Sequence, residues 1–91
     1  MDLVWETPSE MALNLAKRIK KIRKRKKITQ VQLAQRCNVS YGALKKFEQT
    51  GEISLVSLIK IAMELNVSDE IDNLFTDPVY KSIDEVLSDG N

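Results

Sequence analysis

The sequence predicts an all-α chain of 91 residues. Three observations carry that expectation. Apolar residues recur three and four positions apart through most of the chain. Ser or Thr stands repeatedly just ahead of these periodic stretches, where a helix cap belongs. No segment alternates with period two for long enough to form a strand. With 43% hydrophobic and 30% charged residues the composition is that of one globular domain, and 3 Gly and 2 Pro are too few for a loop-rich chain. No internal repeat is present.

Thr7-Pro8-Ser9-Glu10 predicts a helix start: Thr7 caps, Pro8 suits the first helical position, and Glu10 completes a capping box. Ala12, Leu15, Ile19 and Ile22 then form one apolar stripe on a helix expected to run to about Lys26. A second start falls at Thr29, followed by Val31, Leu33, Ala34 and Cys37. It ends near Asn38, a residue type that tolerates the left-handed conformation of a sharp turn. Val39 leads to Ser40, a third cap, with Leu44 and Phe47 as the buried pair of a short helix. Gly51 breaks the chain. Ser54 caps a fourth helix with Leu55, Leu58, Ile59, Ala62 and Leu65 facing inward, ended by Asn66. Ser68 opens a fifth helix through Ile71, Leu74 and Phe75, with Asp69 and Glu70 in the first turn, where the helix dipole favours them. Thr76-Asp77-Pro78 marks a boundary, and Ser82-Ile83-Asp84-Glu85 is a further capping box before Val86 and Leu87. The expected organisation is an N-terminal segment over 1–8, a domain over 9–75 and a tail over 76–91 with a short helix.

The net charge of +1 conceals a division. Residues 11–47 hold twelve basic residues and no acidic one, whereas residues 48–91 hold two basic and ten acidic residues. The basic half is either a solvated helix face or the footprint of a partner with dense negative charge. A single cysteine and no histidine exclude an internal disulfide, His-based triads and the usual His/Cys zinc sites. Cys37 reads as a small core residue, and Trp5 as a cover for one end of the bundle or part of a partner surface. No Gly-rich phosphate loop occurs, and no apolar run approaches the ~18 residues of a membrane span. The N-terminus lacks a signal peptide's basic start and apolar stretch. A cytoplasmic, non-enzymatic protein without metal, cofactor or membrane attachment is expected.

The span from Thr29 to Phe47 decides between the two readings of the basic half. It comprises two short helices joined by a tight turn, with Ala34 where only a small side chain fits a close crossing. The stretch Ile28-Thr29-Gln30-Val31-Gln32-Leu33-Ala34-Gln35-Arg36-Cys37-Asn38-Val39-Ser40 resembles helix 2 and the turn of the Cro/repressor-type (XRE) helix-turn-helix family. Leu44, Phe47 and Glu48 are similar to its recognition helix, and Leu58 to Val67 to its fourth helix. The resemblance implies a five-helix lambda-repressor-like domain, with the third helix in the major groove of double-stranded DNA and a homodimer on a near-palindromic site. It also implies that Gln30 meets phosphate and that Thr29, Ser40, Tyr41, Gly42, Lys45 and Lys46 belong to the DNA-binding face. Arg23 and Glu48 would form an ion pair tying helix 1 to helix 3. Gly42 departs from the pattern, since many relatives carry a polar reader there. Lys27 and Asn38 stand where the family usually has glycine.

Two functions follow as expectations. The first is a homodimeric, sequence-specific transcriptional regulator, most simply a repressor, dimerising through Ile71, Leu74, Phe75, Val79, Tyr80, Ile83, Val86 and Leu87. The second is an antitoxin that neutralises a protein partner and also binds its own operator. For that reading, Phe47 to Leu55, Leu74-Phe75 and Tyr80 to Leu87 resemble regulators paired with HipA-type kinase toxins. The acidic half would steer a basic partner, or else it keeps the face away from DNA soluble.

Overall fold

Thr7 begins the first helix through reciprocal bonds: its hydroxyl accepts from the Glu10 N–H at 3.1 Å, and its own N–H donates to the Glu10 carboxylate at 3.3 Å. The computed structural model describes residues 6–77, which form five helices: α1 (Pro8–Arg25), α2 (Gln30–Cys37), α3 (Tyr41–Thr50), α4 (Leu55–Glu64) and α5 (Ser68–Asp72). Among the described residues there is no strand, so the chain is all-α. Thr29 and Ser40 cap α2 and α3, and Ser54 caps α4, each accepting a first-turn N–H. The Thr29 cap is a full capping box completed by Gln32, a reciprocal partner that the sequence reading passed over.

Helix α1 packs on α3, α2 packs on both α3 and α4, and α5 closes on α4. The core they enclose holds Ala16, Leu33, Leu44, Ile61 and Leu65, all at 0% exposure, with Ala34, Cys37, Val39 and Phe47 beside them. Asn38 ends α2 in the left-handed region, at φ 56°. That conformation reverses the chain within two residues, so that Leu33 and Ala34 on α2 and Leu44 on α3 share one interior.

Three details of the expected helices need correction. Leu15 is 46% exposed, because the inner face of α1 is centred on Ala16 and Arg23 rather than on the Leu15 side. Leu55 is 65% exposed and Ile61 takes the interior place on α4; a continuous apolar run around that helix hid which side was buried. Ser68 opens α5 with Asp69 and Glu70 in its first turn, but no Ser or Thr stands ahead of this helix: Val67 precedes it and makes no side-chain cap bond. The helix stops at Asp72, leaving Leu74 and Phe75 beyond its end, 54% and 99% exposed. Five residues give too few intrahelical bonds to extend α5 without a packed face to hold it. Trp5, Ser82, Val79, Tyr80, Ile83, Val86 and Leu87 lie outside the described residues.

Gly51 does more than end α3. Its φ is 84°, and a Cβ at this position would stand 2.5 Å from the Ala12 carbonyl carbon and 2.6 Å from the Leu13 nitrogen. The α3–α4 loop thus lies directly on the backbone of α1, where nothing flexible can yield. Gly51→Ala combines left-handed strain with overpacking, and we expect it to cost about 2–4 kcal/mol in urea unfolding. A loss below about 0.5 kcal/mol, the scale of an ordinary surface substitution, would contradict this account of the contact.

Candidate nucleic-acid interface

The site is built outward from one buried charge pair. Arg23, on the inner face of α1, donates from Nε to Glu48 Oε2 at 2.7 Å and from Nη2 to Glu48 Oε1 at 2.9 Å. The two side chains are 8% and 1% exposed. Arg23 Nη1 also donates to the Ile28 carbonyl at 2.8 Å, and Gln30 Nε2 donates to Glu48 Oε1 at 2.8 Å. One carboxylate on α3 therefore fixes α1, the α1–α2 turn and the first residue of α2 together. Burial raises the pKa of Glu48, but the hydrogen bonds from Arg23 and Gln30, with the charges of Arg23 and Lys20, outweigh it and hold the carboxyl below its ordinary value. No buried polar side-chain atom among the described residues lacks a partner.

With Leu44, Phe47 and Glu48 turned inward, α3 leaves its other side in solvent. Ser40, Tyr41, Gly42, Lys45 and Lys46 are all exposed there. The Lys45 ammonium lies 5.9 Å from the centroid of the Tyr41 ring, a cation–π arrangement that orients both side chains outward. The Ser40 hydroxyl accepts from the Ala43 N–H at 3.1 Å, and the Thr29 hydroxyl accepts from Gln32 N–H at 3.1 Å. Each still has its own proton to donate. Val31, 49% exposed, and Tyr41 border a shallow notch over the α2–α3 turn.

The structure thus brings Gln30, Arg23 and Glu48 into one hydrogen-bonded group and sets the five α3 positions on one open face. Sequence reasoning missed the bond from Gln30 to Glu48, because it assigned that amide outward. It also passed over Lys20, three residues before Arg23 on α1, whose charge helps to lower the Glu48 pKa. Cys37 sits in the core with Sγ 4.0 Å from the Ala34 carbonyl, and burial pushes its thiol pKa upward.

Five helices with a tight left-handed turn between α2 and α3, and an exposed polar and basic face on α3, define a helix-turn-helix DNA-binding domain. A Helix-turn-helix family model matches residues 19–71, more than half of the chain. The chain belongs to that family, the XRE type of DNA-binding transcriptional regulator. No curated protein matches the chain. No described helix is long and apolar enough to cross a membrane.

Two predictions come from this geometry. Glu48 is held below its ordinary value near 4.5, so its stabilising contribution is present above that pH and is lost as pH falls through the folded-state value. Glu48→Gln leaves Arg23 buried without its counter-charge and should cost about 3–5 kcal/mol at neutral pH. Urea unfolding of both proteins across the acid range should show a shallower pH dependence in the variant. Equal slopes would mean that other carboxylates carry the acid sensitivity.

The second prediction concerns Gly42, where a Cβ would meet nothing within 4 Å. The isolated chain gives no steric reason for glycine inside a helix. Gly42→Ala should therefore stabilise the free protein by up to ~1 kcal/mol. If DNA closes on this position the same change weakens binding, so the thermal melt and the binding isotherm should move in opposite senses. Movement of both in the same sense would remove Gly42 from the contact surface.

Proposed function

We propose that the chain is a homodimeric, sequence-specific regulator, most simply a repressor, that reads a near-palindromic operator with the helix beginning at Ser40. The observation that carries this reading is the two-sidedness of α3. Its rear is fixed by Leu44, Phe47 and the Glu48 ion pair, while Tyr41, Gly42, Lys45 and Lys46 stand free on the front. A helix so held can enter the major groove without reorganising. Lys46 is assigned to guanine O6 or N7, and Lys45 to a phosphate or a second base. Tyr41 offers its hydroxyl to phosphate and its ring to a thymine methyl. Thr29 and Ser40, the caps of α2 and α3, are assigned to phosphate, as is Gln30 through its backbone N–H at the start of α2, its amide being engaged by Glu48.

A dimer is supported by apolar surface that the described domain does not bury. Leu55, Val56 and Met63 on α4 are each more than 60% exposed, and Leu74 and Phe75, beyond the end of α5, are exposed as well. Single apolar residues on a surface need no explanation, but this many together mark a contact. Ile71 borders an open groove of about 420 Å³ between α4 and α5 with Ile59 and Met63. One short reading helix gives limited affinity, and pairing two across a dyad supplies the rest.

The second reading, an antitoxin neutralising a HipA-type kinase toxin, draws on Asp69, Glu70 and Asp72 beside that apolar surface, a combination suited to a basic protein. Selection of duplexes from a randomised library, with wild type and Lys46→Ala in parallel, separates the two. We expect a palindrome with half-sites about one turn apart, relaxed at one base pair in the variant. Recovery of a motif without symmetry would remove the homodimer, and recovery of none would move the protein-partner reading to first place.

A further inference from the structure

We propose that one flank of α1, formed by Lys20 and Lys24 and continued by Lys27, lies along the phosphate backbone of the duplex read by α3. The inference rests on the DNA-binding reading and adds a second contact surface to it.

The rotation of α1 is set by its buried arginine. Arg23 points into the domain and is fixed there by Glu48, which leaves no freedom for the helix to turn about its axis. The neighbouring residues then separate by helical spacing into three strips. Ile19 and Ile22 pack against the core on one side of Arg23. Arg18, Lys21 and Arg25 fall opposite Arg23, on the exposed outer face. Lys20 and Lys24 occupy the remaining flank, with Lys17 one turn earlier, and Lys27, beyond the helix end, is tied to it by the bond from its N–H to the Lys24 carbonyl at 2.9 Å.

Three observations place that flank beside α3. Lys20 is half-buried, whereas Arg18, Lys21, Lys24 and Arg25 are exposed, so it leans on the domain. Its charge acts on the Glu48 carboxylate, the same group that holds Gln30 at the start of α2. Glu48 lies one turn along α3 from Lys45, which is exposed on the front of that helix. Helix α1 packs on α3, so the flank that carries the half-buried Lys20 borders the reading helix, and the exposed outer strip does not. The three lysines also carry no internal neutralisation: among the described residues the one ion pair is Arg23–Glu48. Cations left unpaired beside a groove-reading helix are suited to backbone phosphates, which position a protein on the duplex without reading sequence.

Charge-matched variants test the assignment. One carries Lys20→Gln, Lys24→Gln and Lys27→Asn, the last because asparagine tolerates the positive φ of 58° at that position. The other carries Arg18→Gln, Lys21→Gln and Arg25→Gln. Both lose three positive charges, so long-range attraction falls equally and only direct contacts differ. Binding to a labelled mixed-sequence duplex is measured by anisotropy between about 50 and 200 mM salt, where each phosphate contact contributes about 0.9 to the log–log slope. We expect the flank variant to lose about 2–3 from that slope, which removes up to about 40-fold of the affinity change across the range. The outer-face variant should keep the wild-type slope. Circular dichroism and melting check that both remain folded, and single Lys20→Gln and Lys24→Gln proteins, each expected to lose about 0.9, replace the triple variant if it is not. Equal slopes for the two variants, or a larger change in the outer one, would overturn the flank while leaving DNA binding intact. Absence of duplex binding by the wild type would overturn both.

Discussion

The buried contact between Arg23 and Glu48 sets the geometry on which the other features depend. Removing two opposite charges from water costs several kcal/mol per ion, and mutual attraction offsets this only when the geometry is good and the remaining hydrogen-bonding capacity is filled. Here two parallel bonds join the groups, the third guanidinium nitrogen reaches the Ile28 carbonyl, and Gln30 fills a further site on the carboxylate. A hydrophobic pair could contribute as much stability. It could not fix as many directions at once, because apolar contacts are not directional. The pair sets the rotation of α1, holds the turn after it and anchors the first residue of α2. All three converge on the helix whose outer face is left to act.

The remaining constraint is close approach. Ala34 is buried where α2 meets its neighbours, Asn38 turns left-handed to start the reversal, and Gly51 rests on the α1 backbone. A small residue, a residue tolerant of positive φ and a residue without a Cβ each allow backbone where a larger side chain would force separation. Together they bring three helices into a domain whose described core has only ten buried hydrophobic residues. A core this small leaves little reserve, which is why one added methyl at Gly51 matters more than the loss of a surface charge.

Much of this was legible in the sequence, for reasons that differ by residue. Caps were readable at Thr7, Thr29, Ser40 and Ser54 because a side-chain oxygen at the start of an apolar period has one common use. Leu44 and Phe47 were readable as buried because polar residues surround them on α3. The same logic failed on α4, where Leu55, Val56, Leu58, Ile59, Ile61 and Ala62 crowd together and spacing alone selects no side. It failed on α1 for the opposite reason. The centre of the inner face is an alanine and an arginine, so a search for large apolar residues settled on Leu15. The site was legible at the level of helix faces, whereas the bond from Gln30 to Glu48 joins residues on separate helices and requires the fold.

The departures from local preference also have a distribution that bears on function. Chain interiors and caps largely follow ordinary helix rules, as expected where every level of structure agrees. The exceptions near the reading unit are a buried charge pair, a glycine within α3 at Gly42 and a lysine with φ of 58° at Lys27. Asn66 is left-handed too, but asparagine adopts that region readily and there it simply ends α4. Phe75, with φ of 62° and 99% exposure, is a further exception, beyond the end of α5. Each unfavourable choice thus falls beside a surface left open within the described domain: exposed lysines and the open face of α3 in one case, uncovered hydrophobic residues in the other. A chain folding only for its own stability would place glycine at Lys27 and a helix former at Gly42. That it does neither shows that the residues beside the open face of α3 are not chosen for the stability of the isolated domain alone.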